Sequence, residues 1–294
     1  MLDERALAFD CEGETLVGIL SPAAAPARRG VLVIVGGPQY RAGSHRQFAL
    51  LARHLAAQGI PALRFDYRGL GDSSGAARTF EDVAADIRSA IDAFQAAVPG
   101  LQEVVLWGLC DAAAAALFYG QRDPRVSGLV LLNPWARSAA GLARSTLKHY
   151  YWARLRDPAL WRKLARGQFA LGASLRSLLG LVGAARQEAP AAAPAATLPA
   201  LPRDGSAPPL TPDLHARLLA GMQGFTGRVL FIFSSADLTA QEFLDMCKAS
   251  PSWQRLLARP SVQQLTLDGA DHTFSRRAWR DQVADWTGAW VAAW

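Results

Sequence analysis

The sequence predicts an α/β fold: a doubly wound, mostly parallel sheet with a helical segment inserted over one end. Three observations carry this expectation. Short β-branched runs alternate with helical stretches along most of the chain, which implies parallel strands joined by right-handed crossovers. The alternation breaks once, over residues 135–226, and then resumes. Finally, Cys110, Asp237 and His272 each fall just beyond the carboxyl end of a predicted strand, where ligands bind in open sheets of this kind.

The 294 residues allow one large domain or two small ones, at roughly 150 residues per domain. Hydrophobic residues make up 51% and charged residues 19%, enough apolar surface for a packed core and too much for a disordered chain. Alanine supplies much of that share and gains little on burial, so Leu, Val, Phe and the 9 Trp must carry the core.

In order, residues 7–9 and 15–20 read as two β-prone runs around a Glu-Gly turn, a hairpin. A Pro/Ala linker over 21–29 leads to the β-branched run 31–35, typical of a strand buried on both faces. Helices are expected at 47–58, with Phe48, Leu51 and Leu55 on one side, and at 80–97, with Val83, Ile87, Ile91 and Phe94 on one face. Between them lies a strand at 60–65 and a glycine-punctuated loop from Asp66 to Gly75. A strand at 103–107 turns sharply into a helix of small residues at 111–119, and a strand at 126–132 ends at Asn133-Pro134. Residues 135–186 read as two or three helices, and 189–212 as a mobile Pro/Ala-rich stretch. After a helix at 214–222 come a strand at 228–233, helices at 241–248 and 251–257, a last strand at 262–267 and a closing helix at 279–294. The expected division is a core of residues 1–134 and 227–294, with 135–226 as an inserted helical lid.

The net charge of +6 is unevenly spread. Residues 135–226 hold 12 basic and 4 acidic side chains, a balance of +8; the remainder carries 19 and 21, a balance of −2. No recognised nucleic-acid motif accompanies the charge, so no nucleic-acid partner is expected. A local basic patch suits an anionic ligand or peripheral contact with a membrane, and equally suits apolar residues facing a core with solvated charges around them. The longest apolar run, 104–119, is interrupted by Asp111 and falls short of the roughly 20 residues a membrane span needs. The acidic start has no apolar stretch behind it, so a secretory signal is not expected. Cys11, Cys110 and Cys247 are far apart and odd in number, which argues against a disulfide framework or a zinc site. The expected location is the cytoplasm, with no metal and no cofactor; no G-x-G-x-x-G follows any strand.

Gly108-Leu-Cys-Asp-Ala112 is the chemical centre. A strand-turn-helix that presents a nucleophile is so tight that its neighbouring positions must be small, and Gly108 and Ala112 are. The turn sets Cys110 at a helix N-terminus, where the dipole and backbone N–H groups favour a thiolate. His272 is the candidate general base, since a near-neutral pKa lets one group take and return a proton. Asp237 would orient the imidazole, with Asp271 as its competitor from the adjacent position. Each has a plainer reading: Cys110 as a small core residue, Asp237 as a helix cap, His272 as a solvated loop side chain.

The elbow resembles the G-x-S-x-G of α/β-hydrolases, with Cys for Ser and Ala for the last Gly, and the order nucleophile, acid, His is theirs. The resemblance spans nearly the whole chain and implies an α/β-hydrolase fold. It implies that the backbone N–H of Asp111 is one oxyanion donor and that the second lies in Gly36-Gly-Pro-Gln39. Pro38 has no N–H, so Gln39 is the first choice and Gly37 the alternative. Tyr40, Arg41 and His45 follow as substrate contacts. Asp66-Tyr-Arg-Gly-Leu-Gly-Asp-Ser73 matches a loop common in this fold, with Asp66 and Arg68 placed to cross-link loops.

A closer resemblance rests on Gly36-Gly-Pro-Gln-Tyr-Arg-Ala-Gly-Ser-His-Arg-Gln-Phe48, Leu63-Arg-Phe-Asp-Tyr-Arg-Gly-Leu-Gly-Asp-Ser73 and Trp107-Gly-Leu-Cys-Asp-Ala-Ala113. These look like the exosortase A system-associated hydrolases of the first type, which accompany exopolysaccharide and protein-sorting loci in Gram-negative bacteria. The resulting expectation is hydrolysis of an ester or thioester, its substrate a small acyl compound of anionic character, through an acyl-enzyme on Cys110. Two alternatives stay open: an acyltransferase using the same Cys, and a non-catalytic binding protein on the same fold. The oligomeric state is not encoded in these motifs.

Overall fold

The computed structural model describes residues 4–37, 39–136 and 214–294. The expected helices of 135–186 and the Pro/Ala-rich stretch of 189–212 lie outside them, apart from residues 135 and 136.

Eight strands form one sheet: β1 (Arg5–Cys11), β2 (Glu14–Ser21), β3 (Arg29–Ile34), β4 (Ala62–Asp66), β5 (Glu103–Leu109), β6 (Val126–Leu132), β7 (Arg228–Ser234) and β8 (Val262–Leu267). Their spatial order is β1-β2-β4-β3-β5-β6-β7-β8. The hairpin β1–β2 is antiparallel and β2 pairs antiparallel with β4, while every pair from β4 to β8 is parallel. The helices are α1 (Gln47–Ala57), α2 (Ala84–Ala97), α3 (Asp111–Gly120), α4 (Leu214–Gly224), α5 (Leu238–Ala249), α6 (Pro251–Leu257) and α7 (Arg277–Ala292).

Side chains of a strand alternate between faces, so a strand covered on both sides must be apolar throughout. In β3, Leu32 and Ile34 join one core, with α2, α3, α5 and α6, while Val31 and Val33 join the other, with α1 and α7. Val104 and Leu106 of β5 likewise oppose Val105 and Trp107. β8 is the exception: it lies at the sheet edge, and its residues are half-buried or exposed.

Two expected helices have different starts. The helix expected from residue 80 begins at Ala84, yet Phe80 and Val83 are buried, so their apolar spacing serves the core from a turn. A reason for the turn lies at Asp86, which accepts from the backbone N–H and guanidinium of Arg68 in the glycine-rich loop. The helix expected from residue 241 begins at Leu238, capped by Asp237. Residues 214–224, within the expected insertion, form α4, whose buried Leu214, Leu218 and Met222 pack in the core shared with α3.

The glycine-rich loop is cross-linked as its sequence suggests. Asp66 is fully buried and accepts from the Arg41 backbone N–H at 2.6 Å, from the Arg41 guanidinium, and from the Asp72 N–H at 3.2 Å. Ser73 donates to the Asp66 carbonyl, and its Oγ accepts from the Val17 N–H.

A second buried ion pair sits between α3 and β6. Asp123 accepts from Arg125 Nε at 2.9 Å, Arg125 Nη2 at 2.7 Å and the Tyr119 hydroxyl at 2.7 Å. The Arg125 hydrogen bonds outweigh burial and hold the Asp123 carboxyl at about 2, below the ordinary 3.8. A depressed folded-state pKa gives stability that is complete above pH 4 or so and is lost as pH falls through about 2. In Asp123→Asn, urea unfolding should therefore show a weaker loss of stability between pH 5 and pH 2 than in wild type, by about 2 kcal/mol.

Candidate active site

The elbow after β5 is built by close approach. A Cβ at Gly108 would stand 2.5 Å from both the carbonyl carbon and oxygen of Ala112, so only glycine lets α3 fold back over the strand end. The chain then turns through Cys110 at φ 64° and ψ −122°, a conformation that costs an L-residue about 1–3 kcal/mol. Backbone bonds on both sides hold it. The Cys110 N–H donates to the Leu132 carbonyl at 2.9 Å, and the Cys110 carbonyl accepts from Trp135 at 3.0 Å and Ala113 at 3.1 Å. Cys110 is half-buried and caps α3, whose run of alanines is buried against the sheet. Cys11 and Cys247 are buried instead, and burial pushes the Cys247 thiol far up and the Cys11 thiol up.

His272 lies on the loop after β8 and Asp237 after β7. His272 Nδ1 stands 2.8 Å from Asp237 Oδ2. The Asp237 carboxylate also accepts from the Thr239 and Ala240 N–H groups at 3.2 and 3.1 Å. It is thus both a helix cap and the partner of the imidazole, and those N–H bonds hold it in place. Asp271 turns the other way: it accepts from the Ser275 N–H at 2.9 Å and from the Ser275 hydroxyl, which holds its carboxyl below the ordinary value although burial opposes this.

Two residues that the sequence reading passed over fix this geometry. Asn133, at φ 41° and fully buried, donates through Nδ2 to Ser234 Oγ at 2.9 Å and to the His272 carbonyl at 3.0 Å. Its Oδ1 accepts from the Ser234 N–H at 2.8 Å, and Ser234 Oγ donates to the Asp271 carbonyl at 2.8 Å. Asn133 therefore ties the end of β6 to the loops carrying both Asp237 and His272. The sequence signal was present as Asn133-Pro134 closing a buried strand, where a polar residue needs a partner.

Of the loop after β3, Gly37 donates its N–H to Asp111 Oδ2 at 2.9 Å. The Gln39 side chain accepts from the Ser44 N–H at 3.2 Å and from Gln47 Nε2 at 3.4 Å, which pins the loop to the start of α1. Tyr40 is exposed, with the Arg41 guanidinium 5.9 Å from its ring centre. Arg41 itself is engaged by Asp66 and Asp72, and His45 is an exposed residue at φ 52°. Among the described residues, no His/Cys/Asp/Glu group is arranged to hold a metal, and no helix is long and apolar enough to cross a membrane.

An eight-stranded, mostly parallel sheet with helices on both faces and an elbow after its fifth strand is the α/β-hydrolase fold. Residues 26–170 match the family described as "Serine aminopeptidase, S33". Among solved structures, an esterase from Pyrococcus furiosus is similar at 14% identity and a TM-score of 0.64, over 100% of this chain and 92% of that one. The esterase domain of a Rhodothermus marinus protein matches at 17% identity and 0.57, covering 98% and 97%. A dienelactone hydrolase from Anabaena variabilis matches at 13% and 0.59, covering 99% and 98%. No curated protein matches the chain in sequence.

Replacing Asn133 by Ala strands the Ser234 N–H in a buried setting and frees the His272 carbonyl. This should cost about 1–3 kcal/mol in a denaturant titration, with the α/β circular dichroism of the native state retained. Gly108→Ala should be worse tolerated, because its Cβ meets main chain rather than a movable side chain; a fall of several degrees in Tm is expected in a thermal melt.

Proposed function

We propose that the chain hydrolyses an ester or thioester through an acyl-enzyme on Cys110. The observation that carries this is the 2.8 Å pairing of His272 Nδ1 with Asp237, on the same end of the sheet as a cysteine held in a strained elbow. With Nδ1 so engaged, the imidazole offers Nε2 to the nucleophile. The Cys110 thiol gives its proton to His272 as Sγ bonds the acyl carbon. The tetrahedral oxyanion then collapses, the C–O or C–S bond breaks, and His272 passes the proton to the leaving alcohol or thiol. Water, deprotonated by the same imidazole, attacks the thioester and releases the acid and the thiol. The Asp111 N–H serves the oxyanion together with a donor of the loop after β3, Gln39 as the first choice and Gly37 as the alternative. The similar folds of an esterase and a dienelactone hydrolase support ester chemistry. The matched family is named for serine enzymes, and cysteine here is a departure within the same geometry.

The finer reading places the enzyme in the cytoplasm, beside exopolysaccharide and exosortase systems, on the strength of the three motifs quoted above. It takes the +8 of residues 135–226 as the source of affinity for an anionic acyl substrate, with peripheral membrane contact as the other use of that charge.

Intact-protein mass after mixing with acyl-CoAs and activated esters tests the proposal. Wild type should gain one acyl group, lost on standing in water, and Cys110→Ala should gain none. His272→Ala should slow turnover by roughly 10²–10⁴-fold. An adduct whose decay requires a non-water acceptor would mean a transferase. Turnover unchanged in Cys110→Ala would refute the nucleophile.

A further inference from the structure

We propose that the Asp111 side chain gates the oxyanion position: in the resting protein its carboxylate holds the Gly37 N–H, a donor of the loop after β3 open to a substrate oxyanion, and acylation requires it to let go of Gly37. This deepens the reading of Cys110 as nucleophile and rests on it.

The geometry is specific. Asp111 is the first residue of α3, directly after Cys110. Its Oδ2 accepts from the Gly37 N–H at 2.9 Å and its Oδ1 from the Ala112 N–H at 2.9 Å. The carboxylate thus bridges the two elements, the loop after β3 and the first turn of the nucleophile helix, between which this fold stabilises an oxyanion. Gly36 makes room for it: a Cβ there would lie 2.2 Å from Oδ1. An acid at a helix start is ordinarily satisfied by the helix's own N–H groups. The reach across to Gly37 is beyond that role, and it spends a donor that the site needs.

A carboxylate oxygen and a tetrahedral oxyanion ask for the same thing, preorganised N–H donors. While the carboxylate is in place, the two compete. The negative charge one residue from Cys110 also opposes a thiolate. Burial pushes the Asp111 carboxyl up, against the pull of the N–H groups of Gly37, Ala112 and Asp111 itself and of His272. Among the described residues Tyr67, after β4, also acts with it, its phenol pushed up first by burial and then by Asp111, Asp86 and Asp66. The bond to Gly37 therefore comes with a desolvation cost that weakens the closed state.

The test uses the full chain, with 4-nitrophenyl acetate as acyl donor and iodoacetamide as a probe of the thiol, both read by mass at Cys110. Asp111→Ala frees Gly37 and removes the charge; Asp111→Asn removes the charge but keeps an acceptor for Gly37. Both variants should be alkylated faster than wild type. Acylation should be fastest in Asp111→Ala, by at least about fivefold, with Asp111→Asn between it and wild type. Acylation that is unchanged or slower in both variants, with wild-type Cys110 still acylated, overturns the gate alone and makes Asp111 a pin for the loop. An adduct absent from Cys110 in every form overturns the nucleophile reading, and the gate falls with it. Asp111→Asn is nearly isosteric, so the comparison stands even where Asp111→Ala fails to fold.

Discussion

The site depends on one close approach, that of α3 to the end of β5. Because Gly108 has no side chain, the main chain of Ala112 comes within reach of the strand, and the only path between them takes Cys110 through a left-handed turn. That conformation is unfavourable by itself. It persists because the strand end is clamped by β6, whose Leu132 carbonyl accepts the Cys110 N–H, and because the Cys110 carbonyl accepts from Trp135 and Ala113. The strain is met by sheet hydrogen bonds and a buried alanine helix, which fix the backbone of Cys110 at the carboxyl end of β5.

His272 and Asp237 are held by a different device. β7 and β8 lie two and three places along the sheet from β5. Ala270 and Phe274 anchor the loop after β8 in the core, and Asn133 adds polar bonds. Its amide is fully satisfied by Ser234 and the His272 carbonyl, in a setting where an unsatisfied amide would be costly. Asp237 is fixed by N–H groups of α5 and then lends its remaining lone pair to His272. The elbow at Cys110 is fixed by steric fit, and the Asp237–His272 pair by a buried hydrogen-bond network.

Asp111 ties the first turn of α3 to the loop after β3, through Ala112 and Gly37. A charged side chain between nucleophile and oxyanion loop trades ground-state occupancy of the donors against their availability to a transition state. An enzyme gains rate only from interactions stronger in the transition state than before it. A carboxylate that matches the donors well in the resting state lowers that difference, and its desolvation limits how tightly it can hold.

Much of this was legible in the sequence. The alternation of β-branched runs and helices, and continuous apolar strands such as Val31–Ile34, encode a sheet covered on both faces, since period and burial are local properties of side chains. The small residues flanking Cys110 encode the elbow for the same reason. Where local and tertiary demands diverged, the sequence misled: Phe80 and Val83 have helical spacing but pack from a turn. The choice between Asp237 and Asp271 was not local, because both follow strands at similar distance, and only the fold shows one facing His272 and the other Ser275. Arg41 reads as a substrate contact by position, yet Asp66 and Asp72 bind it from 25 and 31 residues away. The engagement of Gly37 by Asp111, across 74 residues, is likewise a tertiary event. Residue types and their order are enough to say which side chains are candidates for chemistry and which strands they follow. Tertiary structure alone decided which of them meet, because a hydrogen bond is set by distance in space and the chain's own spacing does not encode it.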